Sequence, residues 1–84
     1  KQLAISYYPN PVKNNLSVLI YFEKTNNATL SLVNTEGKIV KNISLENYTS
    51  GSVVSISVQN LARGIYYLVL NDLTNKQTEK VIVE

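Results

Sequence analysis

The side chains with chemical capacity are six acids, eight cations and six tyrosines; histidine, cysteine, methionine and tryptophan are absent. Without His and Cys, the commonest general base and the strongest nucleophile are both missing. A carboxylate pair is the one catalytic device the composition leaves open, and its members would come from Glu23, Glu36, Glu46, Asp72, Glu79 and Glu84. Each of these falls at a strand end, in a loop or on a solvent face of the pattern read below, so no enzyme is expected. Zinc and transition metals take His or Cys ligands. Calcium takes clustered acids, and a lone Asp72 is a poor start. No glycine-rich phosphate loop occurs. No catalytic residue, metal or other cofactor is therefore expected.

Lys and Arg stand singly along the chain and leave a net charge of +2. Nucleic-acid binding would show a basic stripe, and none is present. No apolar run nears the ~20 residues of a membrane helix or the ~9–11 alternating residues of a membrane barrel strand. No secretory h-region opens the chain. The lack of methionine implies a fragment of a longer product, with any export signal upstream of Lys1. Without cysteine the redox compartment is not legible, and the core alone must hold the domain together. Four Asn-x-Ser/Thr triplets, at Asn15, Asn27, Asn42 and Asn47, are read as a consequence of Asn-rich composition rather than as glycosylation sites. Tyr7, Tyr8, Tyr21 and Tyr48 are candidates for a sugar-stacking platform. Packing against a core accounts for them more simply.

The elements that must position these side chains are strands. Ile65 to Leu70 is the longest apolar run, six residues following Gly64. That length suits a strand buried on both faces and falls short of a helix. It is expected to be the central strand. Ile5 to Tyr8 reads as a short strand leading into Tyr8-Pro9-Asn10-Pro11, a stiff extended corner at a sheet edge because proline donates no ladder bond. Leu16 to Glu23 alternates, with Leu16, Val18, Ile20 and Phe22 on one face and a mixed set on the other. Ala28 to Val33 follows a turn at Lys24 to Asn27. Asn34 to Lys38 is a hairpin loop with Gly37 left-handed. Ile39 to Leu45 breaks alternation at Ile39-Val40, which predicts a bulge or a bend. Val53 to Val58 points Val54, Ile56 and Val58 inward. Thr78 to Val83 closes the chain after a turn at Asn71 to Lys76.

These are seven strands spaced about every 10–12 residues with no helical period, the pattern of an all-β, immunoglobulin-like Greek-key β-sandwich. A small barrel is the alternative. Gly64-x-Tyr66 resembles the tyrosine corner of such sandwiches, in which a tyrosine hydroxyl bonds back to the upstream backbone.

Four landmarks in order carry a family resemblance: Tyr8-Pro9-Asn10-Pro11, Leu32 to Val40 with Gly37 and Lys38, Leu61 to Tyr66 with Gly64 and Tyr66, and Lys80-Val81-Ile82-Val83-Glu84. Their order and spacing resemble the C-terminal sorting domain (type A) of the Bacteroidetes type IX secretion system, over nearly the whole chain. The resemblance implies one sorting domain over residues 1–84, fused behind a cargo and carrying a secretion signal. The cargo would cross the inner membrane with an ordinary signal peptide. It would then pass the outer membrane through the type IX machinery. A sortase-like protease would remove the domain at the surface, so the protein would be secreted or surface-bound. No nucleic acid and no direct membrane insertion are implied.

Tyr8 to Pro11 would set the angle at which the domain leaves its linker. Lys80 to Glu84 would be recognised, by edge pairing on a receptor, or would merely complete the sheet. The alternatives outside the family are a carbohydrate- or protein-binding accessory module and an inert spacer.

Overall fold

Alternation of apolar and polar side chains decides which face of each strand is buried, and it holds along nearly every element. The computed structural model describes residues 3–22, 27–72 and 75–84. Seven strands run in chain order: β1 (Ala4–Tyr8), β2 (Asn15–Tyr21), β3 (Thr29–Asn34), β4 (Ile39–Ser44), β5 (Val53–Ser57), β6 (Gly64–Asn71) and β7 (Lys76–Val83). They form a three-stranded sheet ordered β1-β2-β5 and a four-stranded sheet ordered β4-β3-β6-β7, with every strand pair antiparallel. Pairing β2 with β5 and β3 with β6 while the chain passes between the sheets is the Greek-key arrangement of an immunoglobulin-like sandwich. Neither sheet closes on itself, so the barrel alternative falls away.

The inward faces meet in one core. Leu16, Val18 and Ile20 of β2 and Val54 and Ile56 of β5 oppose Leu30 and Leu32 of β3, Leu68 and Leu70 of β6 and Val81 and Val83 of β7, all buried. Ser55 and Ser57 point outward as expected. The Ile39-Val40 irregularity is a bulge: Leu32 pairs with Lys41 and Val33 with Ile39, leaving Val40 the extra residue. The hairpin at 34–38 is closed by Gly37 N–H donating to the Asn34 carbonyl at 3.0 Å, with Gly37 at φ +84°. The Asn34 side-chain oxygen adds bonds from Glu36 N and Lys38 N, each 2.9 Å.

The central strand differs from its sequence reading. β6 lies between β3 and β7, so its backbone is paired on both sides. Only one face is buried: Tyr66 is 7 % exposed, whereas Ile65 is 42 % and Tyr67 36 % exposed. A two-layer sandwich covers one side of each sheet, and the other meets solvent. The turn expected at 24–27 lies outside the described residues apart from Asn27, as do Glu23 and Leu73. Asp72, expected near solvent, is buried and accepts from Asn75 N at 2.7 Å, tying off the β6–β7 connection.

Candidate recognition site at the C-terminal strand

Antiparallel pairing sends the β1–β2, β3–β4 and β5–β6 connections to one pole of the sandwich, together with the C-terminal end of β7. Asn34 pairs with Tyr66, Gly64 with Val83 and Tyr66 with Val81. Val12, beyond the end of β1, forms a parallel bridge with Val83 across the two sheets. The motif residues Tyr8 to Pro11, Gly37, Lys38, Gly64, Tyr66 and Lys80 to Glu84 are thus gathered at this pole from four separate stretches.

The tyrosine corner is present. The Tyr66 hydroxyl donates to the Ala62 carbonyl at 2.6 Å, and Gly64 between them sits at φ +145°, a region where side chains are strained. This bond fixes the chain as it turns into β6. Tyr66→Phe should cost about 1 kcal/mol. A thermal melt should register that as a drop of about 4–8 °C; an unchanged melt would mean the bond contributes nothing.

The segment expected to join the domain to its linker does something else. β1 precedes Tyr8 to Pro11 and is paired with β2, so these residues lie inside the fold. Both prolines follow cis peptide bonds, and the chain bends at Asn10 and Pro11 rather than running extended. Asn10 holds the bend against β7: its side-chain oxygen accepts from Ile82 N at 2.9 Å, and its amide donates to the Lys80 carbonyl at 3.3 Å. Tyr7 faces inward from β1 and its hydroxyl donates to the same Lys80 carbonyl at 3.0 Å. Val12 N donates to the Ile82 carbonyl and Glu84 N donates to the Val12 carbonyl, each at 2.8 Å.

Together Tyr7, Asn10 and Val12 form a clasp over the free edge of the last strand. It occupies the outward backbone groups from the Lys80 carbonyl to Glu84 N. A partner strand would have to open it to pair there. The side chains of Lys80, Ile82 and Glu84 remain exposed, while Val81 and Val83 belong to the core. Asn10→Ala removes two bonds and should cost about 1–3 kcal/mol. Asn10→Asp keeps the acceptor for Ile82 N and should lose about half as much, read by the same denaturation series. Equal stability of all three proteins would dismiss the clasp.

An open cleft of about 480 Å³ lined by Lys13, Arg63, Val83 and Glu84 adjoins the clasp. It holds no histidine, thiol or carboxylate pair. Among the described residues no three potential ligands gather into a metal site. The sugar-stacking set is not assembled either. Tyr7 and Tyr48 are half-buried against the core, whereas Tyr8 and Tyr21 are exposed rather than packed and stand at opposite ends of the β1–β2 pair.

Sequence reasoning missed Val12, Tyr7 in its bonding role and the bond that the loop from Glu46 to Gly51, legible only as a polar loop holding Tyr48, makes to β2. That loop latches β2 through Gly51 N to the Ile20 carbonyl at 2.7 Å, with Gly51 at φ +92°. The available signal for Val12 was a lone valine between Pro11 and the polar run Lys13-Asn14-Asn15.

A search of curated proteins returns no match. The family model described as a secretion system C-terminal sorting domain matches residues 6–84, from the first strand through the clasped C-terminal strand. That span takes in every motif residue gathered at the pole, and the chain belongs to the family of secretion system C-terminal sorting domains.

Proposed function

We propose that residues 1–84 are the single sorting domain of a larger secreted protein, directing a fused upstream cargo across the outer membrane by type IX secretion. Family membership carries this reading. Its physical support is the gathering of motif residues from four stretches at one pole, around a last strand held in a fixed shape. The domain then works as an address read by other machinery, which suits a chain without His or Cys. Lys80, Ile82 and Glu84 supply outward side chains for recognition, while Tyr8, Pro9, Asn10, Pro11, Gly37, Lys38, Gly64 and Tyr66 hold the pole in shape. After passage a sortase-like surface protease removes the domain, and the cargo is released or left at the cell surface.

The test is a reporter fused upstream of Lys1 in a host carrying the type IX machinery and in the same host lacking it. Surface or medium reporter only in the first host is the expected result. An intact, folded fusion retained in the periplasm of both would overturn the reading. Mass spectrometry of the exported reporter then shows whether the domain has been cut away.

A further inference from the structure

The outward face of the four-stranded sheet is accounted for neither by the core nor by the clasp. Strand register sets its side chains in rows. Ile39, Val33, Tyr67 and Lys80 form one row, and Ile65 and Ile82 flank it toward the pole. On the other side come Asn42, Ser31, Val69 and Thr78, then Ser44, Thr29, Asn71 and Lys76. Ile39 is 55 %, Ile65 42 %, Ile82 37 % and Tyr67 36 % exposed; Val33 joins Ile39 to Tyr67, and Val69 extends the patch beyond Tyr67 on the side away from Ile65. On the other sheet Tyr21 and Val53 flank the half-buried Leu19, while Ser6, Ser17 and Ser55 set Tyr8 apart, so its apolar set is smaller. A connected apolar patch across a solvent-facing sheet marks an interaction surface. Among the described residues in these rows the only charged side chains are Lys76 and Lys80, both on β7.

We infer that this face docks a protein partner whose contact patch is apolar at its centre and acidic beside β7. The inference rests on the proposed export function, which places that partner in the secretion machinery. Charge selects the occupant. Glu84, which follows Ile82 on this side of the last strand, lines the cleft with Lys13 and Arg63 and already has cations beside it, so a second copy of this face brings mainly more lysines to Lys76 and Lys80. Lipid is disfavoured by the middle row. The Ser31 hydroxyl donates to the Asn42 side-chain oxygen at 2.8 Å, and Asn42 is otherwise exposed. Hydrocarbon would leave the Asn42 amide unpaired, at a cost of a hydrogen bond or more. A protein surface of ordinary interface polarity can satisfy it.

The decisive experiment compares upstream reporter fusions to the native domain, to Ile65→Thr/Tyr67→Thr, to Lys80→Glu, and to Val53→Thr on the opposite sheet as control. Threonine keeps strand propensity, and each isolated domain is first checked by circular dichroism and melting. The expected result is export lowered at least tenfold for the first two variants at unchanged fold, with the control at the native level. Native-level export of both face variants overturns the inference while leaving the export function standing. Retention of the native fusion overturns both. Sedimentation showing a native dimer that Tyr67→Thr dissociates overturns the inference in favour of self-association. Co-flotation with phosphatidylglycerol vesicles that Ile65→Thr/Tyr67→Thr abolishes overturns it in favour of lipid.

Discussion

Deleting residues 80–84 should abolish both the folded domain and the export of a fused reporter. Val81 and Val83 are fully or almost fully buried, and they pair with Tyr66 and Gly64. Burying a valine is worth about 1.5–3 kcal/mol. The deletion also leaves Asn10 and Val12 without partners and uncovers one edge of β6. A domain of this size holds about 4–13 kcal/mol in total. Losing two core valines and a clasp is therefore comparable with the whole. The truncated protein should show no cooperative melt, and the reporter should stay in the periplasm. A folded truncation exported at the native level would remove Lys80 to Glu84 from any account of recognition. A loss of export here cannot by itself assign contact residues, because folding fails first. Lys80→Glu, whose side chain is exposed, separates the two roles.

Ile56→Ala should produce the largest stability loss of any single substitution described here. Ile56 is 2 % exposed and points inward from β5 between Val54 and Val58, paired with Leu16 of β2. The strand has a neighbour on one side only, so side-chain burial does much of the holding. Cutting a buried isoleucine to alanine costs about 2–5 kcal/mol through lost transfer energy and a residual cavity. Each kcal/mol moves the melt by about 4–8 °C in a domain of this length. Chemical denaturation of Ile56→Ala beside Ser55→Ala, its outward neighbour, measures the difference. The serine variant should stay within about 0.5 kcal/mol of the native domain. A loss below about 1 kcal/mol for the isoleucine variant would mean the two faces of β5 have been exchanged.

Most strands were legible because a two-residue period is a local property. Val54, Ile56 and Val58 alternate with serines, and that pattern needs no distant partner to be read. The hairpin at 34–38 was legible for the same reason: Gly37 can take a left-handed backbone, and Asn34 can bond its own neighbours. The bulge showed itself as two adjacent apolar residues in an alternating strand. The tyrosine corner spans four residues, from Ala62 to Tyr66, and so it too was readable.

Burial of the Ile65 to Leu70 run was misjudged because an apolar sequence does not say how many layers a protein has. The opposing three-stranded sheet covers one face of β6, and its other apolar face meets solvent. Asp72 was likewise placed in solvent because its bond to Asn75 depends on how a turn closes.

The sequence by itself determined strand positions, the inward side chains of β2, β3 and β5, the turn glycines and the absence of imidazole and thiol chemistry. These follow from backbone sterics and from side chains a few residues apart. Only the tertiary structure decided that Tyr7, Asn10 and Val12 close over Lys80, Ile82 and Glu84, more than 65 positions later in the chain. It alone decided that Ile39, Ile65, Tyr67 and Ile82 share one exposed face. The physical reason is that register between strands is set by packing the whole core at once, and no short stretch of the chain carries that information.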